Sequence, residues 1–139
     1  RNTAVTVCGP LNVNKLGVTY VHEHLMVKPQ LPDEYYIPYT LDDEAASTEE
    51  TRSFSAAGGE TLVEMTPINY GRNVKAYQRI AQATGVHVIC CTGFHKQLFM
   101  PPWFGDKTDG ELYDILMDEV TNGLDDTEIH PGYQAGHQL

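Results

Sequence analysis

Positive charge is what this chain has least of. Nine Lys and Arg stand against 19 Asp and Glu in 139 residues, a formal net charge of −10. Phosphate backbones and anionic membrane surfaces are both bound by clustered cations, so nucleic acid and membrane are excluded as partners. Long hydrophobic runs are missing too. No stretch approaches the ~20 apolar residues of a membrane span, and no basic-then-apolar leader is visible. The chain starts at Arg1 rather than Met, which leaves room for a removed leader or an upstream piece. Cysteine is scarce: Cys8 is isolated, and Cys90-Cys91 are adjacent in an apolar run. That is neither a disulfide framework nor a zinc spacing. It predicts buried, reduced thiols in a cytoplasmic protein.

What is present suffices for a core, since 41% of the residues are hydrophobic. Gly17 to His22 and Val86 to Thr92 read as strands, the second nearly continuous in apolar character. Such runs suit parallel strands buried on both faces. Thr61 to Met65 is a shorter strand introduced by Gly58-Gly59, and Ala4 to Cys8 an extra one before Gly9-Pro10. Helical spacing runs from Asn73 to Thr84, ended by Gly85. Asp109 to Val120 repeats it with Leu112, Ile115, Leu116 and Val120 on one face. Leu41 to Ala57 is a weaker helix with acids at its start. Pro29 to Pro38 and Pro101 to Asp109 read as loops. The alternation of strand and helix, with a candidate strand at the C-terminal end, predicts a parallel α/β architecture.

Thr19-Tyr20-Val21-His22-Glu23-His24-Leu25 is the stretch that carries chemistry. Side chains at i and i+2 of a strand point the same way, so His22 and His24 can offer two imidazoles to one metal while Glu23 points away. Two histidines on a strand also occur packed or exposed with no metal. Their position at the C-terminal end of a first parallel strand favours ligation, because active sites of α/β barrels lie at that end.

The run Leu16 to Leu25 resembles the first-strand motif of the phosphotriesterase-related family, within the amidohydrolase superfamily. Thr6-Val7-Cys8-Gly9-Pro10-Leu11 resembles its N-terminal hairpin, and Gly58 to Pro67 its second strand. Gly71-Arg72-Asn73-Val74 resembles the helix start that follows. Val88 to Lys96 resembles the third strand and loop, and Gly123 to Thr127 the segment before the fourth strand. The resemblance implies a (β/α)8 TIM barrel with a short N-terminal β-hairpin. It implies two divalent metal ions, usually zinc, with His22 and His24 on the more buried one. It also implies hydrolysis of a small-molecule ester, a lactone or a phosphoester, by metal-activated water.

The family's bridging carboxylated lysine or glutamate, on the fourth strand, aligns with Ala135. The end from Gly132 to Leu139 has little strand character, although His137 is a substitute ligand if it forms a strand. A full barrel takes roughly 250 residues. Residues 1–139 therefore read as one partial domain, the N-terminal half of a barrel, truncated near the fourth strand.

Arg72, His95 and Lys96 sit on loops at the catalytic face and are candidates for an anionic substrate, with solvated surface cations as the ordinary alternative. Glu64 would face the barrel mouth as a partner for a histidine, or else be an exposed acid. Trp103 and Phe104 line a pocket or anchor a loop, and His87 and His130 are structural or exposed. A half-barrel also leaves open strand edges, with the interior of Val86 to Cys91 facing nothing, which predicts self-association. Two other functions compete: a degenerate fragment with no activity of its own, and an α/β binding module with an incidental His pair.

Overall fold

The computed structural model describes residues 2–29 and 39–135. The loop expected from Pro29 to Pro38 lies, but for Pro29, outside them, as does His137. Strands β1 (Thr3–Thr6) and β2 (Gly9–Asn12) form an antiparallel hairpin with Thr6 opposite Gly9. The single strand expected over Ala4 to Cys8 is thus cut short by the turn at Val7-Cys8. Four strands then form a parallel sheet in the order β3 (Thr19–Glu23), β4 (Thr61–Glu64), β5 (His87–Gly93) and β6 (Tyr133–Ala135). One helix stands in each crossover: α1 (Glu44–Ala56), α2 (Val74–Thr84) and α3 (Asp109–Asn122). Sequential parallel strands with one helix between each pair are the first half of a (β/α)8 barrel.

Helix α2 is the best specified element. The Asn73 side chain accepts from Ala76 N at 3.1 Å, and Gly85 (φ 77°) closes the helix in the left-handed conformation. Its apolar face (Val74, Tyr77, Ile80, Ala81) is buried against Leu62 and Val88 of the sheet. Thr108 and Glu111 form a capping box on α3. The apolar face expected for α3 needs correction: Val120 is exposed, and the buried residue is its neighbour Glu119. A buried cation explains this, as described below.

Two strands depart from expectation. The segment after Gly132 has weak strand character, yet Tyr133 to Ala135 pairs with Cys91 to Gly93. An existing parallel edge supplies the hydrogen bonds that local propensity does not. The apolar surface of β5 does not face nothing. Val88, Ile89, Cys90 and Cys91 are all buried. The hairpin reaches back to β5, with Val7 N donating to Val88 O at 2.8 Å, and Gln78 Nε2 donates to Val7 O at 2.9 Å. The bare apolar surface lies instead on and beside β3, where Tyr20 is 52% and Val21 69% exposed. Among the described residues no helix is long and apolar enough to cross a membrane.

Candidate metal and substrate site

The C-terminal end of β3 is irregular. Tyr20 stands opposite Leu62 but Glu23 opposite Glu64, so β3 carries one residue more than β4 between these pairs. A bulge of this kind re-aims the side chains that follow. The rings of His22 and His24 lie with centroids 5.3 Å apart at 68°. Two imidazoles on one tetrahedral zinc, with Zn–N near 2.0–2.1 Å, have ring centres about 5 Å apart. The separation of the pair therefore fits a single ion. Glu23 does not join them: its Oε1 accepts from His24 N at 2.8 Å. Burial, and then the field of His22, lower the His24 pKa below the ordinary histidine value, with Glu23 opposing. A neutral imidazole is the form that binds a metal.

The position expected for Glu64 needs correction, although its expected link to a histidine is present through Thr66. It is neither in the mouth nor exposed. It shares a face of β4 with Leu62, whose side chain packs towards the helices, and it is fully buried. Its Oε1 accepts from Leu25 N at 3.1 Å and from Thr66 Oγ1 at 2.5 Å, and its Oε2 accepts from Thr66 N at 3.1 Å. Burial pushes its pKa up to about 7, against the pull of these bonds. Thr66 Oγ1 lies 2.8 Å from His24 Nδ1. A line of contacts thus runs from a buried carboxyl through a hydroxyl to the candidate ligand.

Beside the histidines the loops after β3, β4 and β5 are tied together. Lys28 N donates to Tyr70 O at 3.1 Å. The next residue, Gly71 (φ 78°), passes so close to the Lys28 backbone that a Cβ there would collide with it. This fixes Tyr70, whose ring lies 6.2 Å from His24 and 4.6 Å from His95. Phe99 completes the wall, stacked on His95 at 5.2 Å. Asn69, buried, accepts from His95 N at 2.7 Å and donates to His95 O at 3.0 Å and Phe99 O at 2.9 Å. Phe94, Trp103 and Phe104 make a second aromatic group with Lys107 over the Trp103 ring, and Lys96 is exposed.

Arg72 is not a surface cation open to substrate. Its side chain is 1% exposed. Nη1 and Nη2 donate to Glu119 at 3.0 and 2.5 Å, Nε and Nη2 donate to Asp125 at 3.0 and 2.6 Å, and Nη1 also donates to Cys91 O at 3.1 Å. Burial works against its charge, but the bonds to Asp125 and Glu119 prevail and raise its pKa. The motif residue serves to lock α3 and the loop after it onto β5. Cys8, expected to be buried, is exposed at the hairpin turn, while Cys90 and Cys91 are buried. His130 packs its Nδ1 3.1 Å from Val120 O, and His87 is half-buried.

Among the described residues no group of three or more His, Cys, Asp and Glu could hold a metal ion. Thr66, Asn69 and Tyr70 were not legible as site residues. Their only trace in the sequence is a run of polar and aromatic residues between a strand and the Gly71 turn.

A sequence profile described as the phosphotriesterase family matches residues 3–136. A phosphotriesterase-related protein of Nematostella vectensis is 30% identical, over 93% of this chain and 46% of its own length. A phospho-furanose lactonase of Mycoplasmopsis synoviae is 34% identical, over 88% of this chain and 36% of its own. Among solved structures, an amidohydrolase from Mycoplasma synoviae superposes with a TM-score of 0.86 at 30% identity, covering 96% of this chain and 42% of that one. The chain spans less than half the length of each of these relatives.

Proposed function

The chain belongs to the phosphotriesterase family, and from that premise we propose that it supplies the first-strand metal ligands, His22 and His24, of a zinc-dependent hydrolase acting on a lactone or phosphoester. The ring separation of 5.3 Å is the observation that carries this reading. When bound, zinc lowers the pKa of water and polarises the oxygen under attack. His22 and His24 hold the ion. Tyr70, His95 and Phe99 form an aromatic flank beside them. His95 and Lys96 meet an anionic part of the substrate. Arg72 has no such part, because its guanidinium is committed to two carboxylates.

The reading extends to what the chain does not do by itself. A catalytic zinc takes about three protein ligands, and the His pair provides two. Ala135, opposite Gly93 at the end of β6, has no group to bridge two metals. The chain alone is therefore proposed to bind zinc weakly and to turn over little. A cytoplasmic setting accords with its three free thiols. The test is complementation: this chain is mixed with the C-terminal half of the lactonase relative and assayed with zinc. Lactone hydrolysis that depends on both halves and disappears in His22→Ala supports the reading. Full zinc-dependent activity of the chain alone overturns the incomplete site, and an unaffected His22→Ala overturns the ligand assignment.

A further inference from the structure

Proton counting around Thr66 decides something the ring separation does not. The buried Glu64 carboxylate receives the amides of Leu25 and Thr66 and the hydroxyl of Thr66, and the Tyr77 hydroxyl, which donates to Met26 O, lies against it as well. A threonine hydroxyl has one proton. At 2.5 Å from Glu64 Oε1 that proton is committed to the carboxylate whenever Glu64 is ionised, the form that prevails at mildly alkaline pH. What Thr66 Oγ1 then offers His24 Nδ1, 2.8 Å away, is a lone pair. A bare Nδ1 would set lone pair against lone pair. Nδ1 must therefore carry the proton, and the lone pair of the ring must sit on Nε2.

We propose that Thr66, backed by Glu64, is the positioning residue of His24, fixing its imidazole with the proton on Nδ1 and Nε2 presented to a metal. The proposal rests on His24 being a ligand, but the tautomer it specifies is a property of the metal-free chain. A histidine ligand whose second nitrogen is held by an oxygen acceptor has its tautomer and ring orientation set before the metal arrives. Here the acceptor is a hydroxyl made one-directional by the carboxylate behind it. Glu64 and Thr66 are both fully buried, and Glu64 reaches the ring through the Thr66 hydroxyl, so neither is placed to touch substrate. Among the described residues His22 has no such hydrogen-bond partner, and this gives the two ligands of one ion different degrees of preorganisation.

Long-range proton–nitrogen NMR on the metal-free chain at mildly alkaline pH reads the tautomer directly. His24 is expected to show a protonated Nδ1 and a bare Nε2. Thr66→Val, which keeps the shape and removes the hydroxyl, is expected to release His24 towards the opposite tautomer and to weaken zinc or cobalt(II) binding by about ten-fold or more. Thr66→Ser restores the hydroxyl and is expected to restore both. His22 in the same spectra stays unchanged, which separates a local effect from loss of fold. A proton on Nε2 of His24 in the unsubstituted chain overturns the proposal, as does a Thr66→Val chain with unaltered tautomer and affinity. If His24 keeps its Nδ1 proton while His24→Ala leaves the weak metal binding unaltered, the ligand reading fails and the tautomer assignment stands.

Discussion

Arg72 and Glu119 meet as a two-point ion pair, with the arginine at the end of the β4–α2 connection and the glutamate in the last turns of α3. Thr92 Oγ1 donates to the same carboxylate at 2.5 Å. Removing one partner of a buried pair leaves an uncompensated charge and costs about 3–5 kcal/mol. Arg72→Met is therefore expected to lower stability by that order in urea unfolding. The exposed pair Arg52–Glu49 provides the contrast, since Arg52→Ala is expected to cost less than about 1 kcal/mol. Equal costs at the two sites would show that the buried pair contributes nothing special.

Glu64 gives the chain a pH dependence of definite sign. Its carboxyl has an ordinary value of 4.5 and a folded value raised to about 7, chiefly by burial. Between these values the folded chain keeps a proton that the unfolded chain has released. Its contribution is thus fully present below pH 4.5 and is lost as pH rises through 7. A displacement of this size corresponds to about 3 kcal/mol. Glu64→Gln is expected to flatten the fall in unfolding free energy across that window. A parallel profile in the variant would place the ionisation elsewhere.

The three thiols divide by exposure. Cys8 is exposed at the hairpin turn, whereas burial pushes the Cys90 and Cys91 thiols up to about 12. A thiol reagent is expected to modify Cys8 in the folded chain and all three cysteines in urea. Rapid native labelling of Cys90 or Cys91 would mean that β5 opens readily.

Strand β3 has no partner on its outer edge among the described residues and exposes Tyr20 and Val21. Unpaired backbone beside apolar side chains favours association. Light scattering is expected to find the chain self-associated, and Val21→Lys is expected to shift it towards the monomer. A monodisperse, cooperatively unfolding monomer without the substitution would show that the edge is satisfied in another way.

The elements with strong local signals were legible in the sequence: α2 through its 3.6-residue apolar spacing and Gly85, and β5 through its continuous apolar run; the His22 and His24 rings lie near each other, but on a bulged strand end and not by plain alternation. What was not legible depends on pairing across the chain. Tyr133 to Ala135 becomes a strand only because β5 presents an edge. Arg72 reads as a surface cation until its two carboxylates, 47 and 53 residues away, are brought around it. The burial of Glu64 is not legible because the parity of a four-residue strand with a bulged neighbour does not say which layer it faces. Thr66 carries no motif of its own and acquires a role only from the groups on either side of it.

The hairpin's attachment to β5 sets an order of events in synthesis. Val7 accepts from Gln78, 71 positions along the chain, and donates to Val88. The βα units between them join near neighbours in sequence, whereas this closure waits for a partner that a ribosome makes much later. Contacts of such long range are slow to form because loop-closure entropy is lost before they repay it. During translation, then, the hairpin emerges well before the strand it docks on, and is among the last parts of the described fold to find its place. Until Val88 leaves the exit tunnel, the Val7 amide has no strand partner, although Leu25, Leu62 and Tyr77, which share its core cluster, are already made.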